Sequence, residues 1–452
     1  MSPATAAAAA HAAPAALTAR AGLAYGLLGL PLAFVALPLY VLLPNHYARA
    51  FGMPLATLGA VLLAARLFDA LTDPLLGRLS DHLFGRSPRA VLRAGAVSAA
   101  VLALGLGGLL FPPVQSPSGL VAWALAALVV TYAAYSQLGI AHQAWGARLG
   151  GDEVQRSRIV GWREAAALAG VVLASVLPPW AGLPALWAAF AVALAAGWWA
   201  WTRAPRPAPG AAGAARPGVR DAPGRHPGLW RPWGQAAFRR LLLVFVLNGI
   251  ASAIPATLVL FFVQDGLQAP AAQEPLFLGA YFLCAALSIP LWLRAVARWG
   301  LARAWLAGML LAVAAFSWTA GLGAGDAGAF LAVCALSGVA LGTDLALPGA
   351  LLAGVVAAGG DAGRHEGAYF GWWNFATKLN LALAAGLALP LLGWLGYTPG
   401  TRSAQGLQVL AWAYAMLPCA LKLLAAAALY GLLLRPQRAR AAGAPALSRG
   451  PF

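Results

Sequence analysis

The sequence predicts an all-α polytopic membrane protein, with about twelve transmembrane helices in two six-helix halves, and three observations carry that prediction. Hydrophobic residues fill 61% of the 452 positions and mean hydropathy is +0.75, outside the range of soluble domains. The apolar residues are gathered into runs of roughly 20, long enough to cross a bilayer. Charged residues make up only 10% of the chain and fall mostly between those runs.

The runs lie near 22–43, 54–77, 92–111, 119–146, 158–182 and 184–202, and then near 238–263, 275–297, 303–323, 328–357, 366–396 and 408–434. Between the two sets, residues 203–235 are rich in Pro, Gly and Arg, a composition that forms no packed core and predicts an extended linker. The expected organisation is therefore 1–202, an N-terminal half with a cytoplasmic tail; 203–235, the linker; 236–434, the C-terminal half; and 435–452, a cytoplasmic tail. Charge sets the orientation. Arg86, Arg89, Arg93, Arg148, Arg156, Arg158, the linker arginines, Arg294, Arg298, Arg303, Arg364, Arg435, Arg438 and Arg440 share one side. Opposite them stand Arg49, Asp265, Glu274, Asp326 and Arg402, so the positive-inside rule puts both termini and the linker in the cytoplasm and the protein in a plasma (inner) membrane.

The formal net charge of +17 suits topology and contact with anionic lipid heads. Nucleic-acid binding would need that charge as a patch on a soluble domain, and the sequence contains none. Cys284, Cys334 and Cys419 lie inside apolar runs without paired spacing, and the six histidines are scattered without a metal-ligand motif, so no cofactor and no enzymatic centre is expected. The Ala-rich start lacks a basic leader and a Leu-type core, so the first span is expected to serve as the targeting signal.

The stretch Arg66 to Arg86, RLFDALTDPLLGRLSDHLFGR, puts Asp69 and Asp73 inside an apolar helix. A carboxylate at the bilayer centre costs about 2.5 to 3.5 kcal/mol on insertion scales, so it needs a partner or a use. Arg66, Asp69 and Asp73 are spaced three and four apart and share a helix face, which allows a structural pairing to Arg66 but leaves that face net negative. Pro74 frees the carbonyl of Ala70, completing a candidate cation cage. Two six-span halves joined by a cytoplasmic linker are the arrangement of the major facilitator fold, with its solute site near the midplane.

The motifs resemble the glycoside-pentoside-hexuronide:cation symporter family, the melibiose permease-like branch of the major facilitator superfamily. Its helix-two signature is matched by Asp69, Asp73, Pro74, Gly77, Ser80 and Asp81. A second match runs from Ala141 to Glu164, with Arg163 in the place of the family's helix-five arginine, and a third from Gly363 to Asn380, with the intramembrane Lys378. The resemblance implies that Asp69 and Asp73 bind the coupling cation, Na+ or H+, helped by Thr72 and Ser136. It also departs: the family's galactoside-binding carboxylates fall at Ala33 and Gly139, Pro-Tyr and a Glu are replaced by Ala141, His142 and Arg148, and Gly354 stands for a further carboxylate, leaving Asp344 as an independent acid.

The function expected is cation-coupled symport of a sugar, glycoside or similar small polar solute by alternating access, in a monomer surrounded by lipid. Lys378, Arg163, Asn374, Trp145, Gln143, Asn248 and Asp344 are the candidates for solute binding and coupling. Gln137, Trp373 and Tyr369 could add amide and aromatic contacts to a polyol, or serve as glue between helices. Asp81 and Arg86, in the loop after span two, are the candidate conformational latch. The alternatives are a cation-coupled carrier of a drug or lysolipid, and a non-transporting scaffold or sensor. No metal is expected beyond a coupling Na+ at Asp69 and Asp73.

Overall fold

The computed structural model describes residues 17–207, 228–270, 273–397, 400 and 403–436, and these are helical almost throughout, with no strand among them. Nine described helices are long and apolar enough to cross a membrane. In chain order they are α1 (Ala19–Tyr40), α3 (Pro88–Leu110), α4 (Pro117–Arg148), α6 (Gly182–Thr202), α7 (Ala236–Gly266), α8 (Glu274–Trp299), α9 (Leu301–Gly321), α10 (Ala327–Ala358) and α12 (Ala404–Leu434). Three further long helical stretches carry Asp69 and Asp73, Arg163 and Glu164, and Lys378: α2 (Leu55–Arg86), α5 (153–181) and α11 (Glu366–Trp394). Together they make the twelve expected.

Helix starts follow local chemistry. Ser87, Ser116, Asp152 and Ser403 each accept the N–H three residues on, at 3.1, 3.3, 2.8 and 3.1 Å, and Pro88 and Pro117 begin α3 and α4, where the missing N–H costs nothing. One helical rod spans Glu153–Thr202 and breaks at Gly182, whose φ of 76° and ψ of 178° suit glycine and divide α5 from α6. The turn between α2 and α3 is shorter than the sequence suggests. Asp81 and Arg86 belong to α2 itself, which runs on unbroken through Pro74, and only Ser87 separates it from α3.

The chain gathers into two compact units. The first comprises Met1–Gln235 and Gly349–Leu379, and the second Ala236–Pro348 and Asn380–Phe452. In the first, α1 packs along the α5–α6 rod, and α4 packs against α2 and α3. The start of α11 crosses α2 backbone against backbone. A Cβ at Gly371 would stand 2.6 Å from the Asp73 carbonyl oxygen, and one at Gly77 or Gly367 would collide with the carbonyl of the other. Only glycine permits that approach, which brings the acids of α2 against the lysine of α11.

The linker departs from the extended form expected. Residues 208–227 lie outside the described residues, as do 1–16 and 437–452, but the end of the linker is docked in the first unit. Arg231–Gly234 form a short 3-10 turn, and the Trp372 indole donates to the Leu229 carbonyl at 2.9 Å. Arg231 pairs with Asp361 at 3.1 Å, and the same carboxylate accepts from Gln235 at 2.6 Å and from the Tyr369 hydroxyl at 2.7 Å. The indoles of Trp230 and Trp233 pack on Trp372, which gives this end the apolar anchor that composition alone concealed.

In the second unit α12 lies against α7 and α9. Phe262, Phe277, Phe330 and Tyr414 form an aromatic core, with the rings of Phe262 and Tyr414 stacked at 4.4 Å. One buried ion pair, between Asp344 and Lys422, lies in this unit.

Candidate cation and solute site

Asp69 and Asp73 stand one turn apart on α2, 2% and 0% exposed, and neither is paired to Arg66. The Arg66 guanidinium instead lies over the Tyr40 ring at 4.8 Å. The pairing to Arg66 that the spacing allows is thus not made, and the partner comes from α11. Lys378 Nζ is 2.7 Å from Asp69 Oδ1, 2.8 Å from Asp73 Oδ1 and 2.8 Å from Ser136 Oγ on α4. Ser136 in turn donates to Asp69 Oδ1 at 2.7 Å.

An ammonium has three N–H groups, and here each has one acceptor. Nζ therefore sits as a small cation would, in a cage of carboxylate and hydroxyl oxygens. Two carboxylates against one ammonium leave the cage one negative charge in excess. Asp73 Oδ2 is buried and has no hydrogen-bond partner, so an acceptor is still open beside Nζ. Thr72 is turned away, its hydroxyl donating to the Asp69 carbonyl at 3.0 Å in the ordinary back-bonding of a helical threonine.

Beside the cage lies a cavity of ≈ 200 Å³, reached by Lys378 and Ser136 and walled by Gln143, Asn374, Arg163 and Glu164. Gln143 donates to Asn374 at 3.4 Å across it. Arg163, in the place of the family's helix-five arginine, does not stand at the start of its helix. It lies well inside α5 and is part-buried, and its Nε and Nη2 reach Glu164 Oε1 at 2.9 and 2.5 Å. Ala33 and Gly139 also line this cavity, so the positions where the family's sugar-binding carboxylates fall are here small and leave room. Glu164, passed over in the sequence, supplies a carboxylate to the same wall.

Other candidates fall elsewhere. Trp145 is fully buried between Phe84 and Trp201 and donates to the Pro205 carbonyl at 3.0 Å, holding the end of α6 and not facing the cavity. Asn248 is buried on α7 in the second unit, its Oδ1 without a partner, and Asp344 lies in that unit with Lys422. Lys422 was legible as a lone basic residue within the apolar run 408–434, a signal as plain as that of Lys378.

At the Arg86 end of α2, Asp81 accepts the Gly367 and Ala368 N–H groups at 2.7 and 2.8 Å, capping the start of α11. Arg148 Nη2 lies 3.2 Å from Asp81 and 2.8 Å from Glu366, and Nη1 donates to the Gly363 carbonyl at 2.9 Å. The basic partner of Asp81 is therefore Arg148, whose guanidinium also lies over the Phe84 ring at 4.0 Å. Arg86 is exposed at the helix end.

The profile of one protein family, described as MFS/sugar transport protein, matches residues 19–434. The chain belongs to that family. Within the MFS/sugar transport proteins, a curated relative is the inner membrane symporter YicJ of Escherichia coli, 28% identical over 143 residues. The matched stretch covers 29% of this chain and 28% of that relative's length. Among solved structures, a bacterial homologue of the iron transporter ferroportin, in an outward-facing state, superposes with a TM-score of 0.66 at 16% identity, over 91% of this chain and 98% of that one. The fucose:proton symporter FucP of E. coli gives 0.62 at 15% identity, over 90% and 97%. At such identities the likeness is one of fold, and the fold is that of the major facilitator superfamily.

Proposed function

We propose that the chain is a secondary active transporter that couples a cation, Na+ or H+, to symport of a small polar solute of the sugar or glycoside kind by alternating access. The observation that carries the reading is the Lys378 ammonium held by Asp69, Asp73 and Ser136 at the edge of a polar cavity. Lys378 is then an internal substitute for the coupling cation. With Nζ in the cage, the two acids are neutralised to within one charge. A cation arriving at Asp73 Oδ2 and Asp69 finds oxygen ligands of the kind hard cations favour, and it releases the ammonium toward the cavity. There Nζ, Gln143, Asn374 and the Arg163–Glu164 pair offer donors and acceptors to hydroxyl groups. Cation and solute favour the same arrangement of Lys378, which couples them reciprocally.

Size favours a small solute. At ≈ 200 Å³ the cavity is below the range of about 300 Å³ upward for drug-sized ligands. A polyol unit suits it better than a lipid. The Asp81–Arg148–Glu366 group is the proposed latch, holding the start of α11 to α2 and α4 in the state observed. Both termini and the latch end of α2 are assigned to the cytoplasm, from the arginine bias.

The test is uptake of radiolabelled monosaccharides and glycosides into proteoliposomes under a Na+ gradient, a pH gradient or neither, with the parent and Asp69→Asn. Gradient-driven accumulation in the parent and its loss in Asp69→Asn are expected. Equal accumulation with and without any cation gradient would end the coupling part of the reading, and no uptake or binding of any solute would favour a scaffold.

A further inference from the structure

The second unit holds a larger cavity of ≈ 410 Å³ that differs in chemistry from the first. Its walls are apolar, with Phe277, Phe282, Phe316 and Tyr414 among them, and its only charges are Asp344 and Lys422. Lys422 Nζ lies 2.8 Å from Asp344 Oδ2 and donates to Ser252 at 2.9 Å, and Ser252 donates to Asp344 Oδ2 at 3.3 Å. Asp344 Oδ1 separately accepts the Trp305 indole N–H at 2.8 Å. On the same wall the Ser337 hydroxyl is buried and has no partner.

We propose that this cavity binds an apolar-bodied monocarboxylate together with one proton, the proton carried on Asp344 Oδ2 and the carboxylate held by Lys422. Charge decides the ligand class. The resident pair is neutral, and a low-dielectric cavity admits a ligand at least cost when it stays so. A bare carboxylate would add a negative charge. A proton taken from water onto Asp344 removes one, so the pair Asp344–Lys422 becomes a neutral acid beside an ammonium–carboxylate pair. The acid O–H forms as the hydronium or buffer acid that supplies the proton gives up its own bond to hydrogen, and no other covalent bond changes. The Trp305 N–H keeps its acceptor in both forms, because it is bound to the other oxygen. The new acid O–H can donate to Ser252, which Lys422 releases on turning to the ligand. An organic amine fits poorly, since it would meet the Lys422 ammonium with like charge.

The groups facing the pair are few. Asp344 on α10 meets Lys422 on α12, Trp305 on α9, Ser252 on α7 and Tyr281 on α8, while Cys419 lies near Lys422 and Cys334 near Tyr281. Among them Asp344 is the only carboxylate. The site stands on different residues from the cage at Asp69, and it is independent of the coupling proposed there.

Phenylbutyrate is the probe, with its amide and its amine analogue phenylbutylamine as isosteric controls, titrated calorimetrically into the full-length protein in two buffers of different ionisation enthalpy. The carboxylate should bind about tenfold or more tighter than the amide, with the amine weakest. Binding should take up about one proton per ligand and weaken as pH rises. In Asp344→Asn the carboxylate should still bind but with no proton uptake, and in Lys422→Gln its advantage over the amide should vanish. The ligand series on the parent protein decides the matter even where a variant fails to fold. Equal affinity for acid and amide, preference for the amine, or carboxylate binding without proton uptake would each overturn the proposal.

Discussion

Replacing Lys378 by Gln removes the one ammonium shared by two carboxylates that are 2% and 0% exposed. Breaking a buried ion pair in this way costs about 3 to 5 kcal/mol, because the stranded charge remains in a poorly solvated place. Here two charges are stranded, so the variant should be destabilised by about that amount until something else neutralises them. The coupling cation is that something. Thermal melting of the detergent-solubilised protein should show the Gln variant well below the parent in the absence of Na+, and rising toward it as Na+ is added or as pH is lowered. The parent, already neutralised to within one charge, should respond less. The double variant Asp73→Asn, Lys378→Gln keeps a single acid, and should recover a large part of the lost stability, a coupling of about 2 kcal/mol or more between the two positions. Equal melting of parent and Lys378→Gln without cation, with no added response to Na+ or acid, would refute the view that Lys378 substitutes for a bound cation.

Arg148→Ala should release the start of α11 by leaving Asp81 and Glu366 unpaired, which hydrogen exchange at Gly367 and Ala368 would read as faster exchange, whereas Arg86→Ala should leave those amides protected. The linker should divide by function: deletions within 208–227 should preserve uptake, while Asp361→Ala, which strips Arg231, Gln235 and Tyr369 of one shared acceptor, should lower both stability and uptake.

The helical architecture was legible because a bilayer leaves few options: apolar runs of the right length must be helices. The cage was half legible. Asp69, Asp73, Ser136 and Lys378 could each be singled out by being polar in an apolar run, yet Lys378 lies some 300 positions from the acids, and only the glycine crossing of α2 and α11 joins them. Spacing along α2 also allowed Arg66 as a partner, but a guanidinium one turn from a carboxylate can as readily lie on an aromatic ring, as it does here. The latch misled for a similar reason: proximity in sequence favoured Arg86, while Arg148 on another helix reaches Asp81. In the linker, composition averaged over 33 residues hid the Trp-rich end, where Trp230 and Trp233 find Trp372.

The distribution of the two basic residue types adds a last argument. The chain has 28 arginines and two lysines, and both lysines, Lys378 and Lys422, are the ones paired with acids inside spans, one in each unit. Arginine serves every loop and tail, so supply of basic residues does not explain the choice. Acceptor number does for Lys378. Asp69 Oδ1, Asp73 Oδ1 and Ser136 Oγ meet three N–H groups on one small centre, whereas a guanidinium spreads five N–H groups over a rigid plane and would leave some without acceptors. Each buried, unmatched N–H costs about 1 to 3 kcal/mol. The planar group also could not sit where a bare cation sits, nor leave and re-enter the cage by turning one flexible stem. Lys378→Arg should therefore keep the net charge and still lose most cation-driven uptake, while Arg89→Lys, at an exposed position, should transport as the parent does. Uptake and cation-dependent melting of both variants, measured side by side, would decide between shape and charge. Full activity in Lys378→Arg would mean that charge alone matters at the cage, and that the placing of the two lysines has no mechanical basis.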